Sequence, residues 1–257
     1  MRAPRGRPPL TSTPLPTDPT VPHPDSFLRL DALGTVIPPY RPTFGFPGQY
    51  IDDAQRRLAT SPLKDGHLIQ LENSPWFGQT IQGWLRREDA LKLYEIAHFM
   101  KGDILELGCF HGLSTSILSR ANRTSPHPKR IESVDLSPHA VRRARWNLWR
   151  QGLKAGVSLF VGDALVEVRR RADRGARFGM VFVDHSHAYV PVYEVCRELR
   201  RIVPAGGFCL FHDFNDPRNF DPADEDHGVY QAVAHGLASA EFEFYGIYGC
   251  LALYRAR

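Results

Sequence analysis

Between residues 103 and 213, short apolar runs alternate with longer stretches whose apolar residues recur at helical spacing. The apolar runs lie at 104–107, 131–134, 157–161, 180–183 and 208–211. Strands that alternate with helices in this way form a parallel sheet with crossover helices on its faces. The pattern therefore predicts an α/β fold with a Rossmann-like, doubly wound sheet.

The predicted helices carry start and stop signals. Ser137 is expected to be an N-cap, with Pro138 at the first helical position, and Gly152 is expected to end this helix. The next two helices are predicted over 166–171 and from Pro191 onward. Each lies between two predicted strands, as a parallel sheet requires.

The C-terminal part of the chain follows a different pattern. A helix is predicted over 229–237, and two β-type runs follow at 242–245 and 250–254, around Gly246 and Gly249. Glycines between two extended runs are typical of a hairpin turn. We therefore expect a C-terminal β-hairpin that makes the last strand antiparallel.

The first hundred residues are organised differently again. Residues 1–48 contain 12 of the 21 prolines, and each proline lacks an N–H and forces its predecessor into an extended conformation. We expect a disordered tail and an extended arm there. Residues 49–101 have a helical pattern, strongest over 86–99, and are predicted to form a helical cap. Residues 102–257 form the main predicted domain.

Composition narrows the classes of function. The chain has 257 residues, of which 42% are hydrophobic and 23% charged, which is typical of a globular protein. No apolar run approaches the roughly 20 residues that a membrane helix needs, so no membrane association is expected. The net charge is only +4, and the arginine clusters fall on predicted helices without an RNA-reading aromatic motif. This pattern predicts no nucleic-acid binding.

The cysteines indicate a compartment. Cys109, Cys196, Cys209 and Cys250 show no paired spacing, and at least Cys196 and Cys209 have apolar neighbours. Unpaired cysteines of this kind are usually small core residues in a reducing environment. The arginine-containing N-terminus lacks the apolar stretch of a secretory signal. We therefore expect a cytoplasmic protein.

The turn after the first strand of the main domain carries candidate chemistry. Glu106 lies near the end of the strand, Gly108 and Gly112 bracket the turn, and a helix begins at Leu113. Such a unit presents backbone N–H groups and a positive helix end to a nucleotide-like ligand. Phe110 replaces the middle glycine of the dinucleotide fingerprint. A carboxylate here repels a pyrophosphate but suits a cationic amino group or a ribose hydroxyl, which favours S-adenosylmethionine (SAM).

Acidic residues close or follow the predicted parallel strands. They are Glu106, Asp135, Asp163, Asp184 and Asp213. Because the carboxyl ends of parallel strands lie along one edge of a sheet, these side chains are expected to converge on one crevice. A helix N-cap would explain one of them, Asp163 above all, but not the whole row. Clustered carboxylates raise one another's pKa and destabilise a fold, so the row indicates a ligand site.

Four segments, in the same order, resemble class I SAM-dependent methyltransferases. Residues 106–115 (Glu-Leu-Gly-Cys-Phe-His-Gly-Leu-Ser-Thr) are similar to an E-x-G-x-x-x-G-x-S-T form of the first motif, and residues 84–100 resemble the helix before it. Residues 184–189 resemble a D-x-x-H-x-Y signature, and residues 204–213 a P-x-G-G…H-D strand. The branch is the methyltransferase domain 24 type, which is related to O-methyltransferases of macrolide-sugar and cephamycin pathways. The resemblance covers residues 84–255.

The resemblance implies a SAM site. Glu106 and the two glycines would hold the aminoacyl end of the cofactor, and Ser114 would bind its carboxylate. Asp135 would accept from both ribose hydroxyls, and Asp163 would reach the adenine amino group. The cofactor-binding residues implied in this way are Glu106, Gly108, Cys109, Gly112, Ser114, Asp135, Leu136, Asp163, Ala164 and Asp184.

Methyl transfer to a hydroxyl requires a base, or a metal that lowers the pKa of that hydroxyl. His187 and His212 are candidates, because only histidine has an unperturbed pKa near neutrality. With Asp184 they form the predicted catalytic set. A purely structural role for His187 is the alternative.

Two carboxylates are the predicted metal ligands. Asp184 and Asp213 end the fourth and fifth strands and would give Mg²⁺ an oxygen-rich site. Ser186 departs from the family, because many relatives carry a second acid there. Further donors near the two carboxylates are His212, Asn215 and Asp216.

We therefore hypothesise that the protein is an enzyme. It would be a SAM-dependent O-methyltransferase that acts on a small hydroxylated molecule of the sugar or phenol type. The alternatives are a non-catalytic partner protein with the SAM fold, and an NAD-type oxidoreductase, which Glu106 and Phe110 oppose. Residues 215–227 form a long polar connection that is expected to border the acceptor site. Trp146 and Trp149 share a helix face that would suit either a homodimer contact or packing under the N-terminal arm.

Overall fold

The computed structural model describes residues 81–221 and 223–257, together with the backbone of residues 63–64 and 68–69. The predicted tail, arm and most of the cap therefore lie outside the described residues. The short strands β1 (Leu63–Lys64) and β2 (Leu68–Ile69) pair antiparallel, which the sequence pattern did not predict. Within the described part of the chain, no helix is both long enough and apolar enough to cross a membrane.

The main sheet has seven strands, and its first five along the chain are parallel. The order across the sheet is β5-β4-β3-β6-β7-β9-β8, in which β9 is antiparallel to both of its neighbours. This confirms the predicted Rossmann-like sheet with a C-terminal antiparallel hairpin. The strands are β3 (Asp103–Leu107), β4 (Ile131–Asp135), β5 (Val157–Val161), β6 (Phe178–Val183), β7 (Phe208–Phe211), β8 (Phe242–Tyr248) and β9 (Leu251–Ala256).

Six α-helices are described, and the predicted caps are present. Ser137 Oγ accepts a hydrogen bond from the N–H of Ala140, and Asp163 Oδ1 accepts one from the N–H of Val166. These side chains satisfy backbone donors that a helix leaves unpaired in its first turn. The helices are α1 (Arg87–Phe99), α2 (Leu113–Arg123), α3 (Pro138–Arg150), α4 (Ala164–Asp173), α5 (Tyr189–Glu198) and α6 (Val229–Gly236).

The sheet separates two hydrophobic cores. Leu105 and Leu107 on β3 face a core that includes residues of α4, α5 and α6, whereas Ile104 faces a core with α1 and α2. Because side chains alternate along a strand, Glu106 points to the same face as Ile104, beneath the first turn of α2. A parallel sheet must be covered on both faces, and these two cores cover it.

The direction in which the chain winds reverses next to β3. The chain passes from β3 to β4 and β5 on one side, and then to β6 and β7 on the other. In open α/β sheets, ligands bind at the carboxyl ends of the strands where this reversal occurs. The topology thus places a crevice at the ends of β3, β4 and β6.

The hairpin is longer than the sequence pattern predicted. β8 extends to Tyr248, because the register shifts between Phe244 and Gly246 and the strand continues beyond this irregularity. The turn lies at Gly249, which has φ +65°, a conformation that favours glycine. A Cβ atom at Gly249 would contact Asp89 of α1. The hairpin turn therefore packs directly on the first turn of α1.

Candidate active site at the carboxyl ends of the strands

A cleft of about 1390 Å³ opens at the carboxyl ends of the parallel strands. Its wall contains most of the residues that the sequence singled out. These are Gly108, Cys109, Ser114, Asp135, Leu136, Asp163, Ala164, Asp184, His187, His212 and Asp213. Glu106 and Gly112 lie behind this wall, and both are buried. The expected convergence of the strand-end acids on one crevice is thus present, with Glu106 beneath its surface.

The two glycines of the β3–α2 turn are required by the backbone. Gly108 has φ +95°, and a Cβ atom there would overlap the backbone carbonyl of Asp184 at the end of β6. Gly112 has φ +89°, and its Cβ would lie 3.2 Å from Ala144 of α3. The turn can therefore pass close to β6 and α3 only with glycine at these positions. Phe110, between them, has φ +43°, which is unusual for a bulky residue.

Glu106 is a fully buried acid with one oxygen in use. Its Oε2 accepts hydrogen bonds from Thr115 Oγ1 and Ser133 Oγ, each at 2.5 Å. Burial raises the pKa of Glu106 to about 7, although hydroxyl hydrogen bonds oppose the shift. Its Oε1 is buried and has no hydrogen-bond partner among the described residues. A buried acceptor without a donor is costly, and a cationic ligand group beside it would relieve that cost.

Asp135 and Asp163 hold backbone groups at the rim of the cleft. Asp135 Oδ2 accepts from the N–H of Phe110 at 2.8 Å, and its Oδ1 accepts from the N–H of Ser137 at 2.9 Å. Asp135 thus fixes the β3–α2 turn as well as facing the cleft. Leu136 beside it is 72% exposed, which leaves an apolar surface next to this carboxylate.

A cluster of histidine and carboxylate side chains forms the other end of the cleft. His212 Nδ1 lies 3.2 Å from Asp184 Oδ1 and 3.1 Å from Asp213 Oδ2. His187 Nε2 lies 3.0 Å from the same oxygen of Asp213. Asp213 has φ +54°, an uncommon backbone conformation of the kind that clusters at functional sites. The structure thus brings together the three predicted catalytic residues and both predicted metal ligands.

The charges in this cluster shift one another's pKa. The hydrogen bond to Asp213 raises the pKa of His187, and burial raises the pKa of Asp184. Burial alone would lower the pKa of His212, but the carboxylates of Asp213 and Asp184 outweigh it and raise that pKa well above 6.5. Conversely, His212 and His187 together hold the pKa of Asp213 below its usual range despite burial.

Two residues of the site were missed by the sequence analysis. Asp89 of α1 is fully buried, and its Oδ2 lies 3.4 Å from His212 Nε2. In the sequence it is an ordinary first-turn helix acid, with nothing to place it near a residue 123 positions later. His227 stacks on His187 with ring centroids 5.1 Å apart and lies within 215–227, the segment expected to border the acceptor site.

The donors of the cluster fit a divalent cation. One ligand atom each from Asp184, His212 and Asp213 lie within 4.8 Å of one another. His212 Nδ1 is buried and has no hydrogen bond of good geometry, although both carboxylates lie within 3.2 Å of it. Of the other predicted donors, Asp216 pairs with Arg218 at 2.7 Å, whereas Asn215 Oδ1 is buried and has no hydrogen-bond partner among the described residues. His212 is the candidate third ligand because its Nδ1 lies within 3.2 Å of both carboxylates.

Comparison with known proteins agrees with this architecture. The fold is shared with solved O-methyltransferase structures. Residues 105–214 match a family model described as a methyltransferase domain, of type 24. The match spans less than half of the chain and runs from within β3 to just after β7. No curated protein sequence matches the chain.

Solved structures share the fold at low sequence identity. The O-methyltransferase TomG from Streptomyces achromogenes, involved in tomaymycin synthesis and solved with SAM, is 20% identical, with a TM-score of 0.56 over 83% of this chain and 91% of that chain. An O-methyltransferase from Bacillus cereus, solved with S-adenosylhomocysteine (SAH), is 16% identical, with a TM-score of 0.55 over 81% and 91%. At these identities, the likeness concerns the fold.

Proposed function

We propose that the protein transfers the methyl group of SAM to a hydroxyl oxygen of a small molecule. The observation that carries the proposal is that one cleft contains both the glycine turn with its strand-end acids and a carboxylate-held histidine. The first set suits an adenosine ligand with a cationic amino acid end. The second suits removal of a hydroxyl proton.

The proposed SAM site at one end of the cleft is supported by residues that have groups available to contact a ligand. Glu106 Oε1 is the buried acceptor for the amino group, and the Gly108 backbone provides room for close approach. Asp135 would take the ribose hydroxyls, and the exposed Leu136 offers an apolar contact to the adenine ring. Bound SAM supplies an electrophilic methyl group on a sulfonium.

The orientation of His187 supports its proposed role as the base that accepts the proton of the acceptor hydroxyl. Its Nε2 faces Asp213 Oδ2 at 3.0 Å, so Nε2 carries the proton and Nδ1 keeps its lone pair. Nδ1 can then accept the proton of an acceptor hydroxyl while the oxygen gains the methyl group. Asp213 stabilises the imidazolium that forms, as an orienting carboxylate does in other histidine bases.

A divalent cation is part of the proposal. Asp184, His212 and Asp213 would hold it. When bound, such a cation lowers the pKa of a hydroxyl that coordinates it, which complements the histidine base. His212 is then a ligand, and His187 is the residue placed to accept the proton.

The cysteines bear on the compartment of the protein, and two exposed tryptophans bear on its partners. We propose a cytoplasmic enzyme, because all four cysteines are free and buried. Trp146 and Trp149 stack with centroids 5.0 Å apart and are 48% and 57% exposed, so a homodimer contact through α3 remains a prediction.

Methyl transfer is tested with SAM carrying a labelled methyl group and a panel of sugars and phenols. We expect labelled product with the wild-type protein, and a 10²- to 10⁴-fold lower rate for His187→Gln. SAH binding should be unchanged in that variant. The matched control is His127→Gln, in the loop before β4 at the opposite end of the sheet.

The outcomes separate the alternatives. SAH binding without turnover on any acceptor would favour a non-catalytic partner protein. No SAH binding, with saturable binding of a nicotinamide dinucleotide, would favour an oxidoreductase. Equal rates for His187→Gln and wild type would remove His187 as the base.

A further inference from the structure

We propose that Asp89 is a positioning residue that makes His212 a metal ligand, so that the site binds a first-row transition ion in preference to Mg²⁺. The inference rests on the proposed function, because it concerns the cation site of the same cleft. It assigns a role to Asp89, which has no signature in the sequence, and it changes the expected class of ion.

Asp89 is held rigidly on both of its oxygens. Its Oδ2 accepts the N–H of Arg86 at 2.6 Å, and its Oδ1 accepts the N–H of Cys250 at 2.8 Å. The side chain is fully buried, between the first turn of α1 and the turn of the β8–β9 hairpin. A buried carboxylate with two backbone donors has little freedom to move, so it can fix the orientation of a neighbour.

The neighbour that it orients is the imidazole of His212. Nε2 of His212 faces Asp89 Oδ2 at 3.4 Å, which directs Nδ1 towards Asp184 and Asp213. His212 is only 7% exposed, and its Nδ1 lacks a hydrogen bond. Histidines that bind metals almost always donate their second N–H to a carboxylate or carbonyl, which fixes the tautomer. Asp89 Oδ2 occupies the position of such a carboxylate, 3.4 Å from His212 Nε2.

The donor set determines the class of ion. Mg²⁺ prefers oxygen ligands throughout, whereas imidazole nitrogen suits first-row transition ions. Here two carboxylates and one imidazole nitrogen lie within 4.8 Å of one another. This mixed set favours a first-row transition ion such as Fe²⁺ over Mg²⁺, and Mn²⁺, the weakest-binding ion of that series, is its most stringent test.

Mn²⁺ is the probe for the test, with the full-length chain both with and without SAH. In calorimetric titration we expect wild-type protein to bind Mn²⁺ at least tenfold more tightly than Mg²⁺. Pulsed electron paramagnetic resonance of bound Mn²⁺ should show coupling to a coordinated imidazole ¹⁴N. Asp89→Asn should weaken Mn²⁺ binding about 10- to 100-fold, the usual effect of losing an outer-shell partner. SAH affinity should stay within about twofold.

Two further variants test the inference even if the Asp89→Asn protein does not fold. His212→Asp replaces the nitrogen ligand by oxygen, and we expect it to lose the ¹⁴N coupling and to favour Mg²⁺ relative to wild type. Glu88→Gln, the neighbouring first-turn acid of α1, is the matched control and should bind Mn²⁺ as wild type does.

Three results would overturn the inference. They are equal Mn²⁺ and Mg²⁺ affinities in wild type, absence of ¹⁴N coupling, and unchanged Mn²⁺ binding in a folded Asp89→Asn protein. SAH binding with no ion bound would overturn it as well, and would mean that His212 serves as an imidazolium that neutralises the carboxylates. Failure of SAH binding alone would contradict the proposed function while leaving the ion measurements valid.

Discussion

At the scale of single residues, the site is built from acids with different tasks. Asp135 holds the β3–α2 turn, Asp163 caps α4, and Asp213 pairs with His187. The sequence could place the strand-end acids together, because parallel strands end at one edge. It could not place Asp89, since the contact with Cys250 joins residues 161 positions apart and depends on the hairpin packing on α1.

The pH dependence of methyl transfer should reflect His187. The hydrogen bond and charge of Asp213 raise the pKa of His187 above its ordinary 6.5, and the base must be deprotonated to act. We expect kcat/KM to rise with pH through a midpoint above 6.5. In Asp213→Asn the midpoint should move to lower pH, whatever the residual rate. An unchanged midpoint in the pH–rate profile would contradict the assignment.

Lys129 provides a pH-dependent contribution to stability. Burial lowers the pKa of Lys129 to about 8, while its Nζ donates to Ala97 O and Ser125 Oγ. In the unfolded chain the pKa is near 10.5, so between pH 8 and 10.5 the unfolded state binds more protons. The contribution of Lys129 to the free energy of unfolding therefore rises with pH over this range, and it is lost as the pH falls through 8.

The matched comparison uses Lys129→Met. Between pH 7.5 and 9.5, we expect the stability difference between wild type and Lys129→Met to shift by about 2 kcal/mol in favour of wild type. Urea unfolding at the two pH values measures it. A difference independent of pH would show that the folded-state pKa of Lys129 is not lowered.

At the scale of elements, the pattern of apolar runs predicts which segments form the sheet, but it predicts the ends of some strands less accurately. β7 has the predicted bounds of 208–211, because Gly207 before it and His212 after it interrupt the apolar run. The pattern predicts β8 three residues too short, because Gly246 resembles a turn residue. The glycine sits in a register irregularity within the strand, and such a local change of pairing leaves no signal in periodicity.

Two glycines of positive φ should respond differently to substitution by alanine. Gly108→Ala would combine left-handed strain with a clash against the Asp184 carbonyl, and we expect a loss of about 3 to 4 kcal/mol together with loss of SAH binding. Gly152 has φ +67° and nothing within 4 Å of an added Cβ, so Gly152→Ala should cost only about 1 kcal/mol. Urea unfolding of both variants makes the comparison. Similar losses would show that the close approach of the turn to β6 is not the constraint.

At the scale of the whole molecule, the site joins segments from both ends of the described chain. α1 contributes Asp89, the parallel strands contribute the acids, and the hairpin turn fixes Asp89 through Cys250. The sequence could predict the sheet and its crevice because each strand and helix signals itself locally. The closure of α1 on the hairpin depends on contacts between distant segments, and such contacts are not encoded in any one stretch.

The central claim is that this cleft binds SAM, and calorimetric titration with SAH tests it most directly. We expect one SAH to bind per chain, and Asp135→Asn to weaken binding about tenfold or more, because its carboxylate faces the expected ribose position and also holds the turn. The exposed control Asp173→Asn, at the end of α4, should bind as wild type does. Absence of SAH binding by the folded wild-type protein would contradict the account.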